Sequence, residues 1–375
     1  MPPPLATLEP PQIAALNPVA AEARRGLTST PKSLAPWLFY DAAGSRLFEQ
    51  ITALPEYYLT RTERDLFTAH AAEIFHLATS STNSQQPTTK NLPITIAELG
   101  AGTAFKTGIL LRAVTRLQPQ LLYQPIDISP TALEQARASI ERSIPGVTVR
   151  PCIANYVTDT VRIERPPRAR ILALYIGSSI GNFSPTEARA ILTRLRSELE
   201  PGDALLLGTD LAPTPDANGH GKSIATLLAA YNDAAGVTAA FNRNIVARLN
   251  RELGANFNLT RFTHRALWNP THSRIEMHLE STCAQTVRIP AGAAWANGHF
   301  GANGQSPKNA APRAINPTGD ALTVRFAPGE TIHTENSYKF TPAAISALLT
   351  AARFTPTRTF SDAANLFAVT LAEAM

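Results

Sequence analysis

The chain has 375 residues, 44% apolar and 17% charged, with 30 prolines, which excludes a wholly disordered chain and is long enough to bury a core unaided by metal or disulfide staples. Two cysteines, Cys152 and Cys283, exclude a disulfide scaffold and a Cys-rich metal cluster, and a net charge of +5 spread without a basic run speaks against nucleic-acid binding. With no apolar run of about 18 residues and no basic segment leading into an apolar one, the reading is a cytoplasmic protein with no membrane span and no secretion signal.

Residues 1–30 are rich in Pro and Ala and read as a flexible N-terminal segment, with a short helix over 13–25. Residues 31–80 are denser in aromatics and end in a helix over 61–77. The polar stretch 79–91 reads as a loop. From 92 to 215 strands and helices alternate. The strands are predicted at 94–99, 121–128, 147–154, 170–176 and 204–209, and the helices at 107–117, 131–139 and 185–199. This order implies a mostly parallel, doubly wound α/β sheet with right-handed crossovers. After it, 223–253 reads as helical, interrupted near Gly236, and strands are predicted at 266–268 and 274–287. In the last of these Ile275, Met277 and Leu279 alternate with Glu276, His278 and Glu280. Residues 290–319 read as a loop insertion, either a lid or inert. The remainder, at 322–326, 332–337, 342–352 and 366–371, reads as strand, strand, helix, strand.

The strongest local signal is Glu98-Leu99-Gly100-Ala101-Gly102-Thr103, at the end of a strand and before a helix. Glycines there let the backbone approach a ligand, although a plain tight turn has the same look. Phe105 stands where a dinucleotide fingerprint needs its third glycine. An acid before such a turn suits S-adenosylmethionine (SAM), whose amino-acid end carries an ammonium. Asp127 ends the second strand, where a carboxylate can take both ribose hydroxyls. Ser129, with Pro130 after it, is the better helix cap and leaves Asp127 for ligand. Asn155 and Tyr156 end the third strand and can meet an adenine or merely close a turn. Gly177, Ser178, Ser179, Gly181 and Asn182 follow the fourth strand and form a polar floor of close approach.

Taken in order, these segments resemble the histidine-specific Nα-methyltransferases, which make hercynine on the route to ergothioneine. The residues carrying the resemblance are Tyr40-Asp41-Ala42-Ala43-Gly44-Ser45, Leu54-Pro55-Glu56-Tyr57-Tyr58 with Thr60-Arg61, and the Glu98 to Thr103 turn. They continue through Gly177 to Asn182, Leu207-Gly208-Thr209-Asp210, and Tyr231-Asn232-Asp233-Ala234-Ala235-Gly236-Val237-Thr238. The last are Phe241-Asn242-Arg243-Asn244, Arg274-Ile275-Glu276-Met277 and Thr334-Glu335-Asn336-Ser337-Tyr338-Lys339-Phe340.

The resemblance implies a Rossmann-like class I SAM-dependent methyltransferase with a second, substrate-binding α+β lobe. The donor domain would be 92–215. The substrate lobe would combine 31–80 with 216–340, and 341–375 would complete the sheet. SAM would be held by Gly100, Lys106, Asp127, Asn155 and Tyr156, the last two standing where the family usually carries Asp-Phe. The histidine carboxylate would meet Asn182 and Tyr231. Its imidazole would meet Glu335 and Ser337, with Tyr40 nearby. Phe48, Tyr57, Gly177, Ser179 and Met277 would line the rest. Tyr40 and Tyr57 are the candidate catalytic residues, as partners for the amine rather than obligate bases.

The physics of the residues agrees with part of this. Each imidazole nitrogen needs a partner when desolvated, and Glu335 and Ser337 share one strand face by the period of two. By its own alternation Met277 reads as core, beside Ile275 and Leu279. The expected reaction is trimethylation of L-histidine through its mono- and dimethylated intermediates, with S-adenosylhomocysteine as by-product, no metal, and a monomeric enzyme without nucleic-acid or membrane partners. The alternative is a relative acting on another aromatic amino acid such as tryptophan. Glu335 and Met277 favour histidine, since indole makes poorer use of a carboxylate.

Overall fold

The computed structural model describes residues 17–79, 93–214, 221–290 and 321–375. The expectations for 1–16, for the loop after the helix ending at Thr79, and for the 290–319 insertion fall almost wholly outside the described residues. The chain divides into two compact units. Unit 1 comprises Met1–Gly44, Ala240–Arg265 and His278–Thr334; unit 2 comprises Ser45–Ala239, Ala266–Met277 and Glu335–Met375.

In chain order, α1 (Pro18–Leu27) starts where the Asn17 side chain accepts the Val19 N–H, with Pro18 in the first turn. The short strand β1 (Lys32–Ser33) and a 3₁₀ turn at Pro36–Phe39 precede α2 (Ala42–Ala53), which the residue pattern left unassigned. The long α3 (Tyr58–Thr79) follows. Then come β2 (Ile94–Leu99), α4 (Thr107–Thr115), β3 (Leu121–Asp127) and α5 (Pro130–Ser143). The single strand expected at 147–154 is two pieces, β4 (Val147–Val149) and β5 (Cys152–Ile153), both paired with β3. Pro151, which has no N–H to donate, separates them. Next are β6 (Arg170–Tyr175), α6 (Pro185–Ser197) and β7 (Ala204–Asp210). A reciprocal bond pair between Ser184 and Glu187 opens α6.

The helical stretch is α7 (Ile224–Tyr231) and α8 (Val237–Leu253), parted around Gly236, whose φ of +74° suits glycine. Then follow β8 (Phe262–Asn269) and β9 (Arg274–Ser281). The strand expected over 274–287 turns after Ser281, and its remainder, β10 (Gln285–Ile289), pairs antiparallel with β11 (Leu322–Phe326). Last come β12 (Thr331–Tyr338), α9 (Pro342–Ala351), β13 (Phe354–Ser361) and β14 (Phe367–Ala374).

Unit 2 is built on the sheet β13-β14-β7-β6-β2-β3-β4. Strands β4, β3, β2, β6 and β7 run parallel, and β14 and β13 close the edge antiparallel. All six residues of β2 and all seven of β7 are buried, as for parallel strands covered on both faces. Removing a large side chain from this layer, such as Leu205 or Leu207, costs about 2–5 kcal/mol. Missed in the sequence, β13 carries Pro356 and a register shift, both tolerated at a sheet edge. The parallel strands all point their carboxyl ends, at Leu99, Asp127, Tyr175 and Asp210, toward one rim.

Unit 1 holds the larger part of a sheet in the order β1-β12-β9-β8, with Lys32 opposite Ile332. Its core stacks Phe39 on Phe241, ring centres 4.5 Å apart. Buried Asn242 donates to the His278 carbonyl and accepts from Thr334.

Candidate functional site

The rim of the parallel sheet in unit 2 begins at Gly100 and Gly102, with φ of +66° and +52°. A Cβ on Gly100 would rest 3.5 Å from the Tyr156 ring, whereas a Cβ on Gly102 would meet nothing within 4 Å. The turn therefore presents an open backbone face. Beside it, Asp127 accepts the Gly102 and Ser129 N–H groups, each at 2.9 Å. Ser129 caps α5 through the Ala132 N–H. A carboxylate has about four acceptor positions, so two remain on Asp127 for a diol. Ile153 stands opposite Asp127 and is 65% exposed; Ile128 and Phe105 are exposed along the same rim. An open glycine face, a held carboxylate and exposed apolar side chains fit an adenosyl group. Asn155 turns its side-chain oxygen to the Val157 N–H of its own loop, and Tyr156 lies edge-on to Tyr175 at 5.6 Å.

Glu98 departs from the expectation. Its carboxylate is 2% exposed and accepts from Thr107 at 2.7 and 2.9 Å and from Tyr123. Burial pushes this carboxyl up to about 7, against the pull of those hydrogen bonds. Within a strand buried on both faces the acid faces the interior and braces the turn from below.

Glu63 on α3 was not singled out by the residue pattern. It is fully buried, pairs with Lys106, and accepts the Gly177 N–H at 2.7 Å. One carboxylate thus ties the lysine after the glycine turn to the turn after β6. The glycine in Leu207-Gly208 has its reason here, since a Cβ at Gly208 would overlap the Glu63 carboxylate and lie 3.2 Å from Ile176 Cα. Ser179 bonds back to the Ile176 carbonyl at 3.2 Å, and half-buried Asn182 ends the 3₁₀ turn Ser179–Asn182.

Beyond this floor lies a buried polar cluster. Asp210, ending β7, accepts from Tyr58 at 2.8 Å, from Lys222, and from Lys339 at 2.7 Å. Burial alone would raise the Asp210 carboxyl, but the two lysines hold it below its ordinary value. Burial lowers both lysines, Lys222 to about 8, against the pull of Asp210. Lys339 also donates to Tyr231 and to Ser337, each at 2.8 Å, and these two hydroxyls lie 2.7 Å apart. The structure thus brings Tyr231 and Ser337 together. Asp210, Lys222 and Lys339 were missed as functional candidates; Asp210 and Lys339 lay inside quoted motifs, but sequence gives no sign of who pairs with whom.

Glu335 shares this environment. Burial pushes its carboxyl up to about 7, with Lys339 pulling the other way. Tyr57 is packed edge-on to Tyr231 at 6.3 Å and to Phe48 at 6.4 Å. Burial drives its phenol well above the ordinary value, and Tyr231 and Glu335 push it further. Met277 is buried on β9 with Ile275 and Leu279. Tyr40 belongs to unit 1, at the end of the Pro36–Phe39 turn and edge-on to Phe241 at 5.9 Å. Among the described residues no cluster of His, Cys, Asp or Glu is arranged to hold a metal, and no helix is long and apolar enough to cross a membrane.

A parallel sheet with a glycine turn after its first strand, an acid ending its second, and two antiparallel strands at its edge defines a Rossmann-like, SAM-dependent methyltransferase. The chain belongs to the family of histidine-specific, SAM-dependent methyltransferases, which matches residues 19–374. It is 38% identical over 351 residues to the histidine N-alpha-methyltransferase of Mycolicibacterium smegmatis, covering 94% of this chain and 93% of that one. To the histidine N-alpha-methyltransferase of Mycobacterium tuberculosis it is 37% identical over 347 residues, covering 92% of each. It is also 30% identical over 224 residues to ergothioneine biosynthesis protein 1 of Schizosaccharomyces pombe, covering 58% of this chain and 27% of that longer protein.

Proposed function

We propose that the protein trimethylates the α-amine of L-histidine to hercynine, the first step toward ergothioneine, with S-adenosylhomocysteine as by-product. The observation that carries this reading is Glu335. It is a buried carboxyl raised to about 7, close to the ordinary range of imidazole, and it shares a strand face with Ser337. A proton held between two groups of similar affinity makes a strong, charge-assisted bond.

When bound, SAM supplies an electrophilic methyl on a sulfonium. The chain's own groups do the rest. Gly100, Lys106, Asp127, Asn155 and Tyr156 hold the donor, Asp127 by accepting from its diol. Asn182 and Tyr231 take the substrate carboxylate, and Glu335 and Ser337 take the imidazole. Phe48, Gly177, Ser179 and Met277 close the pocket. Held at both ends, the amine is fixed for an in-line displacement, and such fixation supplies much of the rate. Tyr57 stays a neutral phenol at working pH, so in the first two transfers its oxygen accepts a hydrogen bond from the amine and orients the lone pair. The ammonium formed each time loses its proton to water, and the dimethylated amine, with no N–H left, is held by its two ends alone. The rings of Tyr57 and Phe48 face the growing ammonium and favour it by cation–π contact. The reaction needs no metal, and the enzyme works as a cytoplasmic monomer.

The test is incubation with SAM and each of the twenty amino acids, following mass gain. Trimethylation of histidine alone, lost in Glu335→Ala, is the expected result. Methylation of tryptophan, or of nothing, would reject the substrate assignment.

A further inference from the structure

We infer that Lys339 is a positioning residue for the substrate, fixing the hydroxyls of Tyr231 and Ser337 from behind so that one hydrogen bridges the two oxygens and the other points in a set direction. The inference rests on the substrate pocket proposed above and adds a residue that need not touch the substrate.

The argument is a count of donors and acceptors. The Lys339 side chain has no exposure, and its ammonium has three N–H groups. They reach three acceptors: Asp210 at 2.7 Å, Tyr231 at 2.8 Å and Ser337 at 2.8 Å. An ammonium only donates, so each hydroxyl oxygen must accept from it. The hydroxyls also lie 2.7 Å from each other, so one of them donates to the other. Their rotations are thereby coupled: turning one hydrogen toward its neighbour directs the other hydrogen elsewhere. Without the ammonium, both oxygens regain a free acceptor site and each hydroxyl can turn inward.

Stability alone gives little reason for this arrangement. Burying an ion costs several kcal/mol, and well-packed apolar groups commonly serve a fold as well. Lys222 provides the contrast. It spends its donors on Asp210 and on the carbonyls of Leu211 and Leu366, none of them a proposed substrate residue. It also keeps Asp210 paired when Lys339 is removed, so a neutral replacement at 339 does not strand a buried carboxylate.

The test uses the full chain with Lys339→Met and Lys339→Gln. Histidine binding is measured with S-adenosylhomocysteine present, alongside KM and kcat. The expected result for Lys339→Met is a loss of about 30-fold in histidine Kd and KM, the scale of a charge-assisted hydrogen bond, with S-adenosylhomocysteine affinity and kcat within about threefold. Lys339→Gln, which keeps an N–H donor, should lose less. Combining Lys339→Met with Tyr231→Phe should cost clearly less than the product of the two single losses, because both remove one interaction. Independent losses, or a Lys339→Met enzyme that binds histidine like the parent, overturn the inference. So does loss of S-adenosylhomocysteine binding in both variants, which would make Lys339 a folding residue. If the parent itself does not bind histidine, the proposed function fails instead.

Discussion

Replacing Glu335 by Gln separates what this residue does for stability from what it does for substrate. The carboxyl is raised from 4.5 to about 7 by burial. A raised acid keeps its proton better in the folded chain than in the unfolded one. Below about 4.5 both states hold the proton and the group is neutral toward stability. As pH rises through the window from 4.5 to about 7 the unfolded chain ionises first, and folding is penalised. Between pH 5 and pH 8 that penalty grows by roughly 2–3 kcal/mol. Glutamine cannot ionise, so the stability of Glu335→Gln relative to the parent should rise by that amount over the same interval. Constant costs, such as burying the amide, cancel in the comparison, and Glu98 titrates identically in both proteins. Urea unfolding at pH 5, 6, 7 and 8 gives the difference directly. In the same protein histidine affinity should fall about 10- to 100-fold, the value of a hydrogen bond to a charged group. A stability difference that stays flat with pH would refute the picture of a costly buried acid retained for its ligand.

Three further outcomes are expected. Asp127→Ala should weaken SAM binding about 10- to 100-fold by calorimetry, since the carboxylate offers its remaining acceptors to the diol; an unchanged Kd would return Asp127 to a bracing role for the Gly102 turn. Gly208→Ala should destabilise the protein by about 1–3 kcal/mol in urea and reduce turnover, because its Cβ displaces the Glu63 carboxylate and with it Lys106 and Gly177. Tyr57→Phe should lower kcat about tenfold or more without moving the pH at which activity rises, as expected of an orienting phenol that never ionises in the assay range. A shifted pH limb in that variant would mean that Tyr57 takes the proton after all.

The parallel sheet was legible because its strands are short apolar runs between well-signalled helices. Ser129-Pro130 marks a helix start as plainly in sequence as in the structure. What escaped were elements whose reason is not local. β13 contains a proline and alternates weakly, and only its partner β14 makes it a strand. β9 and most of β10 read as a single strand over 274–287 in sequence but belong to different sheets. The site shows the same division. Asp127 could be singled out from its place at a strand end and from its freedom from capping. Glu63 could not, because its role depends on meeting Lys106 and Gly177, 43 and 114 residues away. Which way Glu98 faces was not legible either, because the acid next to a ligand turn can face either side, and only the packing of β2 decides it.

In the proposed substrate pocket, the buried cluster would also select the protonation state of histidine. With Asp210 held low and the pH below the Lys222 value of about 8, Asp210 counts as one negative charge and the ammonium forms of Lys222 and Lys339 as one positive charge each. With Glu335 ionised the group is neutral, and with Glu335 protonated it is +1. Histidine with a free α-amine and neutral imidazole is an anion and balances the +1 state. Histidine with a free amine and protonated imidazole is neutral overall and balances the neutral state. The two descriptions contain the same protons, differing only in whether Glu335 or the imidazole holds the shared one. Either way the cluster and the histidine together sum to zero with the nitrogen lone pair available, and the donor sulfonium is the one net charge left in the loaded site. An α-ammonium would add one uncompensated positive charge beside two buried lysines, which low-dielectric surroundings oppose strongly. In the proposed pocket the lysines would thereby bias the amine toward the only form that can accept a methyl group.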